Sequence, residues 1–454
     1  MLNNQESERA AAVFILSDVT DNAAYANISL QKNLSLEFKL DQRGKAFVTE
    51  IVYGALRNLI WIDRVIDSFS QIPVSKMKPY IRALLRVSVY QIKFMDRVPD
   101  HAAVNEAVLL AKTRGYGKLS GFVNGILRNI IRNPSKPAPL KITGGKRKFA
   151  EYLSIKFSYP GWLSELLIEN LGAERASDFC AESGEAAQVS IFVNLNKTTP
   201  EELAEKLRGE GVDCEPGLLH GECLRLHGGA DLTALASYRG GLFHVIDEGA
   251  VVAAKLLMQN NPKSVLDLCA APGGKSFACA SLAKERISIR AFDFHKHKIN
   301  LMNESIKRLG INCIETKLND AERINEAYLN TADAVLLDVP CSGFGTVRRR
   351  PEIKYARKPG DIKALAAKQR AMLAAAAGYS KPGGTLLYCT CTVLDEENSE
   401  NINWFVNNYS YSIETPGQIP SGANAFLTEN GCLQLMPSKA HDGFFIARLI
   451  KNEK

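Results

Sequence analysis

The stretch from Ser264 to Ser276 constrains the fold of this chain more than any other. An apolar run at Ser264–Leu268 has the composition of a strand, and the pair Gly273-Gly274 follows it before a helical pattern begins. A strand, a glycine turn and a helix in this order open a nucleotide-binding α/β unit, where backbone N–H groups and a helix N-terminus face the ligand. The sequence therefore predicts an α/β domain built around this turn.

Several interpretations compete for the turn. A P-loop requires G-x-x-x-x-G-K-[ST], and Gly274-Lys275-Ser276 fits its end, but Cys269 stands where the first glycine is required. A dinucleotide fingerprint requires G-x-G-x-x-G, which the stretch lacks. An S-adenosylmethionine site requires close backbone approach without a triphosphate cradle. An ordinary tight turn between a strand and a helix is the remaining interpretation.

The amino-acid composition limits the class of protein to which the chain can belong. The chain has 454 residues, 46% of them hydrophobic and 23% charged, which is typical of a soluble globular protein with two or three domains. No apolar run approaches a membrane span, and the first residues lack the order of a signal peptide, so a cytoplasmic location is expected. The ten cysteines form neither a disulfide pattern nor paired zinc ligands, and we expect reduced thiols and no metal. The net charge of +7 is compatible with a polyanionic partner.

The pattern divides the chain into three predicted domains. Residues 1–138 read as successive amphipathic helices and predict an all-α bundle; in Tyr80–Met95 the apolar residues repeat at helical spacing. A basic, turn-rich linker then covers residues 133–148. Residues 150–236 predict a small α+β accessory module, similar to an RNA-recognition fold, and residues 237–454 predict a Rossmann-like α/β domain.

The small module is predicted from short elements. Two helices are expected at Trp162–Leu171 and Ala173–Ala181, and a strand at Val189–Asn194. The next helix, Pro200–Gly209, is preceded by Thr199 and carries Glu202 at the position of a capping box. One or two short strands are expected within Gly211–Leu226.

The last third alternates strands and helices, which favours a parallel sheet with helices on both faces. The predicted strands are Ser264–Leu268, Ile287–Asp293, Cys313–Leu318, Ala334–Asp338, Thr385–Cys389 and Phe444–Leu449. Ligands of such sheets bind at the carboxyl ends of the strands, and four acidic residues lie there. They are Asp267, Asp293, Asp320 and Asp338. This series behind a glycine turn favours a nucleoside site.

Cysteines mark two further strand ends. Cys341 follows the fourth predicted strand, and Cys389 and Cys391 lie at the end of the fifth. A thiolate is a strong nucleophile once its pKa is lowered, so thiol chemistry is predicted here, with no means of choosing the attacking sulfur. The basic stretch Thr346–Lys358 follows Cys341. We expect its cations, among them Arg348, Arg349, Arg350 and Lys354, to assist the thiols, and the stretch with Tyr355 to grip an RNA backbone.

These motifs resemble a known family. Asp267–Lys275, Asp338–Ser342 and Thr390–Thr392 with the trailing Glu396-Glu397-Asn398 are similar to the motifs of the S-adenosylmethionine-dependent RNA (cytosine-5) methyltransferases of the NOL1/NOP2/Sun family. Four N-terminal stretches resemble a NusB-like RNA-binding domain: Phe47–Arg57, Leu85–Ile92, Pro99–Ala107 and Gly121–Arg128. This domain order is similar to the Sun (RsmB) subgroup, which methylates a cytosine of 16S ribosomal RNA.

The resemblance implies roles for individual residues. Cys391 is the implied nucleophile that adds to C6 of cytosine, Cys341 acts in release or proton removal, and Asp338 bonds the edge of the base. The implied cofactor residues are Cys269, Ala270, Ala271, Pro272, Gly273, Gly274, Lys275, Asp293, Asp320 and Asp338. Cys389 stands where the subgroup usually has a small residue, so the nucleophile could lie two positions earlier.

The implied partner is 16S rRNA, free or in a partly assembled small subunit, and a monomer is expected. The target base must leave its stack, which favours a loop or a locally unfolded site. A methyltransferase for tRNA or 23S rRNA and an inert RNA-binding or antitermination factor remain the alternatives. The basic edge formed by Arg114, Lys118, Arg128 and Arg132 is either a solvated helix face or a surface for RNA phosphates.

Overall fold

The computed structural model describes residues 7–38, 40–137, 145–229 and 231–453. Its helices are α1 (Glu8–Asp21), α2 (Ala26–Leu36), α3 (Gln42–Arg57), α4 (Leu59–Asp67), α5 (Pro79–Phe94), α6 (Asp100–Ala111), α7 (Ser120–Arg132), α8 (Lys146–Phe157), α9 (Gly161–Leu171), α10 (Ala173–Glu182), α11 (Pro200–Gly209), α12 (Ala236–Arg239), α13 (Glu248–Met258), α14 (Gly274–Leu282), α15 (Lys296–Leu309), α16 (Ile353–Ala356), α17 (Pro359–Ala376) and α18 (Ser399–Asn408). Its strands are β1 (Val189–Val193), β2 (Cys214–Pro216), β3 (Cys223–Leu226), β4 (Phe243–Val245), β5 (Ser264–Asp267), β6 (Ser288–Asp293), β7 (Ile314–Leu318), β8 (Ala332–Asp338), β9 (Ser380–Thr390), β10 (Tyr411–Ile413), β11 (Ala425–Leu427), β12 (Leu433–Leu435) and β13 (Phe444–Lys451).

The chain forms two compact units. The first comprises Met1–Gly184 and the inserted segment Val347–Arg357, and the second comprises Glu185–Thr346 and Lys358–Lys454. This division differs from the boundaries predicted near residues 138 and 236, because α8–α10 join the helical unit. One such link is the hydrogen bond from Trp61 N–H to Ser158 Oγ at 3.1 Å. The division into three domains stays a prediction, and residues 138–144 of the predicted linker lie outside the described part of the chain.

The first unit is helical, as predicted. Helix α5 begins with Pro79 in its first turn, where the missing N–H costs nothing, and its buried face includes Ile81, Leu84 and Leu85. Helices α3 and α5 pack closely, because Gly54 leaves room for the Tyr90 ring; a Cβ at Gly54 would lie 2.0 Å from Tyr90 Cζ. The helical bundle is therefore built around an apolar core of the kind that the spacing predicts.

The second unit contains a small antiparallel sheet with the strand order β2-β3-β1-β4. Helix α11 has the predicted bounds, and Thr199 and Glu202 form the predicted capping box. The sequence did not assign β4 to this sheet, since Phe243–Val245 is too short for a clear alternating pattern. Strand β4 pairs with β1 and leads directly into α13.

The large sheet of the second unit has the order β11-β12-β13-β9-β8-β5-β6-β7, with β10 paired to β13. All six predicted strands are present, and β5 to β9 run parallel. The expectation of a parallel sheet is wrong beyond β9, because β13 is antiparallel to β9 and to β12. Short connections between neighbouring strands, such as that from β12 to β13, permit only antiparallel pairing.

Apolar side chains cover both faces of this sheet. Val265 packs with Val251 and Phe277 on one face, while Leu266 packs with Met372 and Phe405 on the other. Alternation along β5 therefore explains why its sequence is continuously apolar. None of the described helices has the length and hydropathy that a membrane span requires.

Candidate active site at the carboxyl ends of β5, β8 and β9

The predicted site residues follow strands that are neighbours in the sheet. Strand β5 pairs with β6 on one side and with β8 on the other, and β8 pairs with β9. Strands β6 and β7 therefore lie on one side of β5, and β8 and β9 lie on the other. Ligands of open α/β sheets bind where the strand order changes sides in this way. The turn at residues 269–275 follows β5, Asp338 ends β8, and Cys391 follows β9, and these strands meet there.

The glycine turn approaches its surroundings too closely for any side chain. Gly273 has φ +106°, and a Cβ at this position would lie 2.2 Å from Phe277 Cζ. Ala270 N–H donates to the Phe292 carbonyl at 2.7 Å, and Gly273 N–H donates to the Ala270 carbonyl at 2.7 Å. Helix α14 begins at Gly274, so its first backbone N–H groups lie at the site.

A histidine that the sequence analysis missed supports this turn. His244 Nε2 lies 3.1 Å from the Gly274 carbonyl, and its ring contacts those of Phe192 and Phe277. Burial lowers the pKa of His244 to about 4, so the neutral ring with a proton on Nε2 donates to the carbonyl. His244 lies in the three-residue strand β4, which is too short to show a periodic pattern, so the sequence did not indicate a role for it.

Lys275 and Asp338 form the central ion pair of the site. Lys275 Nζ lies 2.5 Å from Asp338 Oδ2 and 4.8 Å from the centre of the Phe444 ring. Although burial opposes the charged amine, Asp338 raises the pKa of Lys275 above its usual value. Lys275 therefore stays protonated and fixes the Asp338 carboxylate at the end of β8.

Asp267, the last residue of β5, stabilises the turn through a hydrogen bond to α14. Its side chain is 1% exposed, and its Oδ2 accepts a hydrogen bond from Ser276 Oγ at 2.6 Å. Burial, opposed by this hydrogen bond, raises the pKa of Asp267 to about 7. The carboxyl group thus joins β5 to the first turn of α14.

The other two predicted acids occupy neighbouring strand ends. Asp293 ends β6, is 6% exposed, and accepts a hydrogen bond from His295 N–H at 2.8 Å. Asp320 follows β7, accepts from Glu322 N–H at 3.1 Å and lies 3.3 Å from Arg323 Nε. Asp293 is therefore held at the edge of the site, and Asp320 carries an ion pair of its own.

The structure brings together two of the predicted cysteines. Cys341 Sγ lies 3.1 Å from Cys391 Sγ and 3.3 Å from the backbone N–H of Cys391. Hydrogen bonding to Cys391, together with burial, raises the pKa of the Cys341 thiol well above its usual value. Cys341 therefore keeps its proton and can donate it in a hydrogen bond to a Cys391 thiolate.

Cys389 has a different environment. Its side chain is fully buried in the apolar core between the sheet and α13–α14, while Cys391 is half-buried at the edge of that core. Burial raises the pKa of Cys389 well above its usual value. Cys269 of the cofactor turn is half-buried, and burial raises the pKa of its thiol as well. Cys391, by contrast, has its sulfur 3.1 Å from that of Cys341.

The predicted role of the basic stretch is wrong for its central residues. Lys354 is 1% exposed, and its Nζ donates to the carbonyls of Arg57 and Phe157 at 3.2 Å each. Tyr355 Oη donates to the Leu56 carbonyl at 2.8 Å. The stretch therefore serves the helical unit, where it binds the carbonyl groups at the ends of α3 and α8. Neither residue is available to an RNA backbone or to the thiols.

Arg348 is also buried within this segment, at 4% exposure, so it does not grip RNA as predicted. Glu352 accepts a hydrogen bond from Ala26 N–H at 3.1 Å, which anchors the segment to the start of α2. By contrast, the four cations of the basic edge predicted on the bundle, Arg114, Lys118, Arg128 and Arg132, are exposed. Their contact with RNA stays a prediction.

The site fits S-adenosylmethionine. The first backbone N–H groups of α14 lie at this end of the sheet, beside a turn in which Gly273 has φ +106° and packs directly against the Phe277 ring. Asp293 offers a carboxylate at the next strand end, where ribose hydroxyls are bound in folds of this kind. The site lacks the first glycine of a triphosphate cradle, which agrees with a cofactor that has no phosphate groups.

Comparison with known proteins supports the same conclusion. Residues 254–450 match the model described as 16S rRNA methyltransferase RsmB/F, and residues 6–132 match the NusB family. Residues 159–233 match the ferredoxin-like domain of RsmF/B-like methyltransferases. The probable ribosomal RNA small subunit methyltransferase B of Bacillus subtilis is 35% identical over 450 residues, covering 98% of this chain and 99% of that protein. The chain belongs to the RsmB/F methyltransferase family.

Other relatives agree with this membership. Ribosomal RNA small subunit methyltransferase B of Klebsiella pneumoniae is 31% identical over 422 residues, covering 92% of each chain. The crystal structure of PH0851 matches with a TM-score of 0.79 and 26% identity, over 97% of this chain and 98% of that one. NSun6 from Pyrococcus horikoshii, solved with SFG, shares the fold with a TM-score of 0.59 and 23% identity, over 65% and 99%.

Membership of the RsmB/F family confirms the resemblance found in the sequence. It also confirms the predicted fold class and S-adenosylmethionine as the cofactor.

Proposed function

We propose that this RsmB/F protein methylates C5 of a cytosine in 16S rRNA through a covalent bond between Cys391 and C6 of the base. The observation that carries the proposal is the contact of Cys391 Sγ with Cys341 Sγ at 3.1 Å, at the ends of strands adjoining the glycine turn. S-adenosylmethionine, when bound by residues 269–275, Asp293 and Asp338, supplies an electrophilic methyl group for C5. Asp320 is a further candidate for binding the cofactor at the edge of the site.

The proposed reaction begins at Cys391. Its thiolate adds to C6, and the electron pair of the C5–C6 double bond becomes available at C5, which is otherwise too electron-poor to be methylated. Asp338, held by Lys275, accepts a hydrogen bond from the edge of the base and orients C6 toward the sulfur. The base must be extruded from its stack for the half-buried sulfur to reach it.

Cys341 completes the proposed cycle. The leading cause of its raised pKa is the hydrogen bond to Cys391, and this cause disappears when Cys391 becomes a neutral thioether. The Cys341 proton then passes to water more readily, and the resulting thiolate accepts the C5 proton. The electrons of the C5–H bond restore the C5–C6 double bond and expel Cys391 as a thiolate.

Incubation with labelled S-adenosylmethionine tests the function. The protein is given unmethylated 16S rRNA, 23S rRNA and tRNA in parallel, and 5-methylcytosine is mapped in each. Label at one cytosine of 16S rRNA is the expected result. Label in tRNA or 23S rRNA alone would mean that this RNA, and not 16S rRNA, is the substrate. The absence of label in any RNA would favour a non-catalytic RNA-binding factor.

A further inference from the structure

Two consecutive buried residues, Glu397 and Asn398, lie behind the cysteine loops. Glu397 is fully buried and Asn398 is 1% exposed, just before helix α18. Neither side chain has a role in the reaction proposed above. A carboxylate is costly to bury unless hydrogen bonds compensate for the lost water, so the partners of Glu397 indicate what the group does.

Glu397 holds the loop of Cys341 together with Gln369 of α17. The backbone N–H of Ser342 donates to Glu397 Oε2 at 2.8 Å. Gln369 Nε2 donates to the same Oε2 at 2.8 Å and to the Pro340 carbonyl at 3.0 Å. The backbone groups on both sides of Cys341 are therefore fixed by one carboxylate and one amide, both fully buried.

Asn398 holds the loop of Cys391 in the same way. Thr390 Oγ1 donates to Asn398 Oδ1 at 2.6 Å, and Asn398 Nδ2 donates to the Thr392 carbonyl at 3.2 Å. The residues on both sides of Cys391 are thus bound to a single amide. A hydrogen bond between Ser342 Oγ and Thr392 Oγ1 at 2.8 Å connects the two loops directly.

We propose that Glu397 and Asn398 are positioning residues, which hold the Cys341 and Cys391 loops so that the two sulfurs remain in contact. Because the residues are adjacent, a shift of one loop is opposed by the other through a single peptide. The catalytic consequence rests on the proposed roles of the cysteines, but the contact between the sulfurs can be measured without RNA or cofactor. The charge of Glu397 is among the causes that raise the pKa of Cys341, which agrees with its place beside that loop.

The test is the rate at which diamide links Cys341 to Cys391. Diamide accepts two electrons and two protons from the two thiols as the S–S bond forms, and peptide mass spectrometry identifies the pair. We expect Asn398→Ala and Glu397→Ala to slow this reaction at least about 10-fold, and to lower kcat about 100-fold while KM stays constant, since misplacement by about 1 Å has effects of that size. Asn398→Asp retains the acceptor for Thr390 and is expected to be intermediate.

Ser380→Ala is the matched control. Ser380 is fully buried, hydrogen-bonds Tyr411 Oη in the same unit, and begins β9, at the opposite end of the strand from Thr390. Its variant is expected to lose unfolding free energy while the diamide rate and kcat remain those of the wild type. If the alanine variants do not fold, Thr390→Val removes only the hydroxyl donor to Asn398 and is expected to slow both reactions several-fold.

Three results would overturn the positioning role: no link between Cys341 and Cys391 in the wild type, an unchanged diamide rate in the alanine variants, or equal slowing by Ser380→Ala. Retained methylation by Cys391→Ala would instead refute the proposed reaction. Slower linkage in the Glu397 and Asn398 variants would then still establish that these residues hold the sulfurs in contact. The two failures are therefore distinguishable.

Discussion

Replacement of Asp267 by asparagine should remove one large pH-dependent contribution to the stability of the second unit. The carboxyl group is fully buried, and burial raises its pKa from 3.8 to about 7. The folded state therefore keeps the proton up to about pH 7, whereas the unfolded state loses it near pH 3.8. Stability from this group is present at low pH and is lost as the pH rises toward 7.

The magnitude follows from the size of the shift. Each pKa unit corresponds to about 1.4 kcal/mol, so the rise from 3.8 to about 7 amounts to about 4 kcal/mol over the full range. Between pH 5 and pH 8 about 3 kcal/mol of this is lost. Asparagine has nearly the same shape and can accept the hydrogen bond of Ser276, but it does not ionise. The stability of Asp267→Asn relative to the wild type should therefore increase by about 3 kcal/mol across this interval.

Urea unfolding measured at several pH values checks this prediction. The chain has three tryptophans, and replacement of Trp61 and Trp162 by phenylalanine leaves Trp404 to report on the second unit. Asp333→Asn is the control: burial alone would raise the pKa of Asp333, but Lys381 and two backbone N–H donors lower it. The difference in unfolding free energy between Asp333→Asn and the wild type should be constant above pH 5. A constant difference for Asp267→Asn as well would refute the argument.

Three further changes test the site and the helical unit. Gly273→Ala introduces a Cβ 2.2 Å from Phe277 Cζ at a positive φ, and strain of about 1–3 kcal/mol should raise the Kd for S-adenosylmethionine between about 5-fold and about 150-fold in calorimetry. His244→Leu removes the donor to the Gly274 carbonyl, worth about 1 kcal/mol, and should raise that Kd about 5-fold, whereas an unchanged Kd would exclude a role at the turn. Tyr355→Phe removes a donor to two helix-end carbonyls and should destabilise the helical unit by about 1–3 kcal/mol in urea unfolding, with RNA affinity unchanged; weaker RNA binding at equal stability would restore the role predicted from the sequence.

The sequence predicted the parts of the second unit that have long, regular patterns. The central parallel strands are continuous apolar runs covered on both faces, and their carboxyl ends meet at one edge of the sheet. For that reason the turn at residues 269–275, Asp338 and Cys341 were predicted together and lie together. Strands β10, β11 and β12 have only three residues each, too few to show a period, so the antiparallel part of the sheet was missed.

Side-chain environments were harder to predict than strands. A period of two puts Cys389 and Cys391 on one face of a strand, but β9 ends at Thr390, and only Cys391 reaches Cys341. Lys354 was taken for a solvated cation because charged residues are rarely fully buried. Its partners, the carbonyls of Arg57 and Phe157, lie 297 and 197 residues away along the chain, and no local pattern predicts such contacts.

Gln369 shows that some of these partners leave a trace in the sequence. Gln369 occupies the same helical stripe of α17 as the buried residues Ile362, Ala366 and Leu373. A polar residue on an otherwise apolar stripe is expected to have a buried hydrogen-bond partner, here Glu397. The stripe predicts that a partner exists, but the fold is needed to identify it.

The central claim is that Cys391 bonds to C6 of the target cytosine. The most direct measurement uses Cys341→Ala with S-adenosylmethionine and unmethylated 16S rRNA, followed by nuclease and protease digestion and mass spectrometry of the nucleotide-bearing peptide. Without Cys341 to remove the C5 proton, the account predicts a trapped methylated cytidine on Cys391. A nucleotide on Cys389, or free 5-methylcytosine with no trapped peptide, would contradict it.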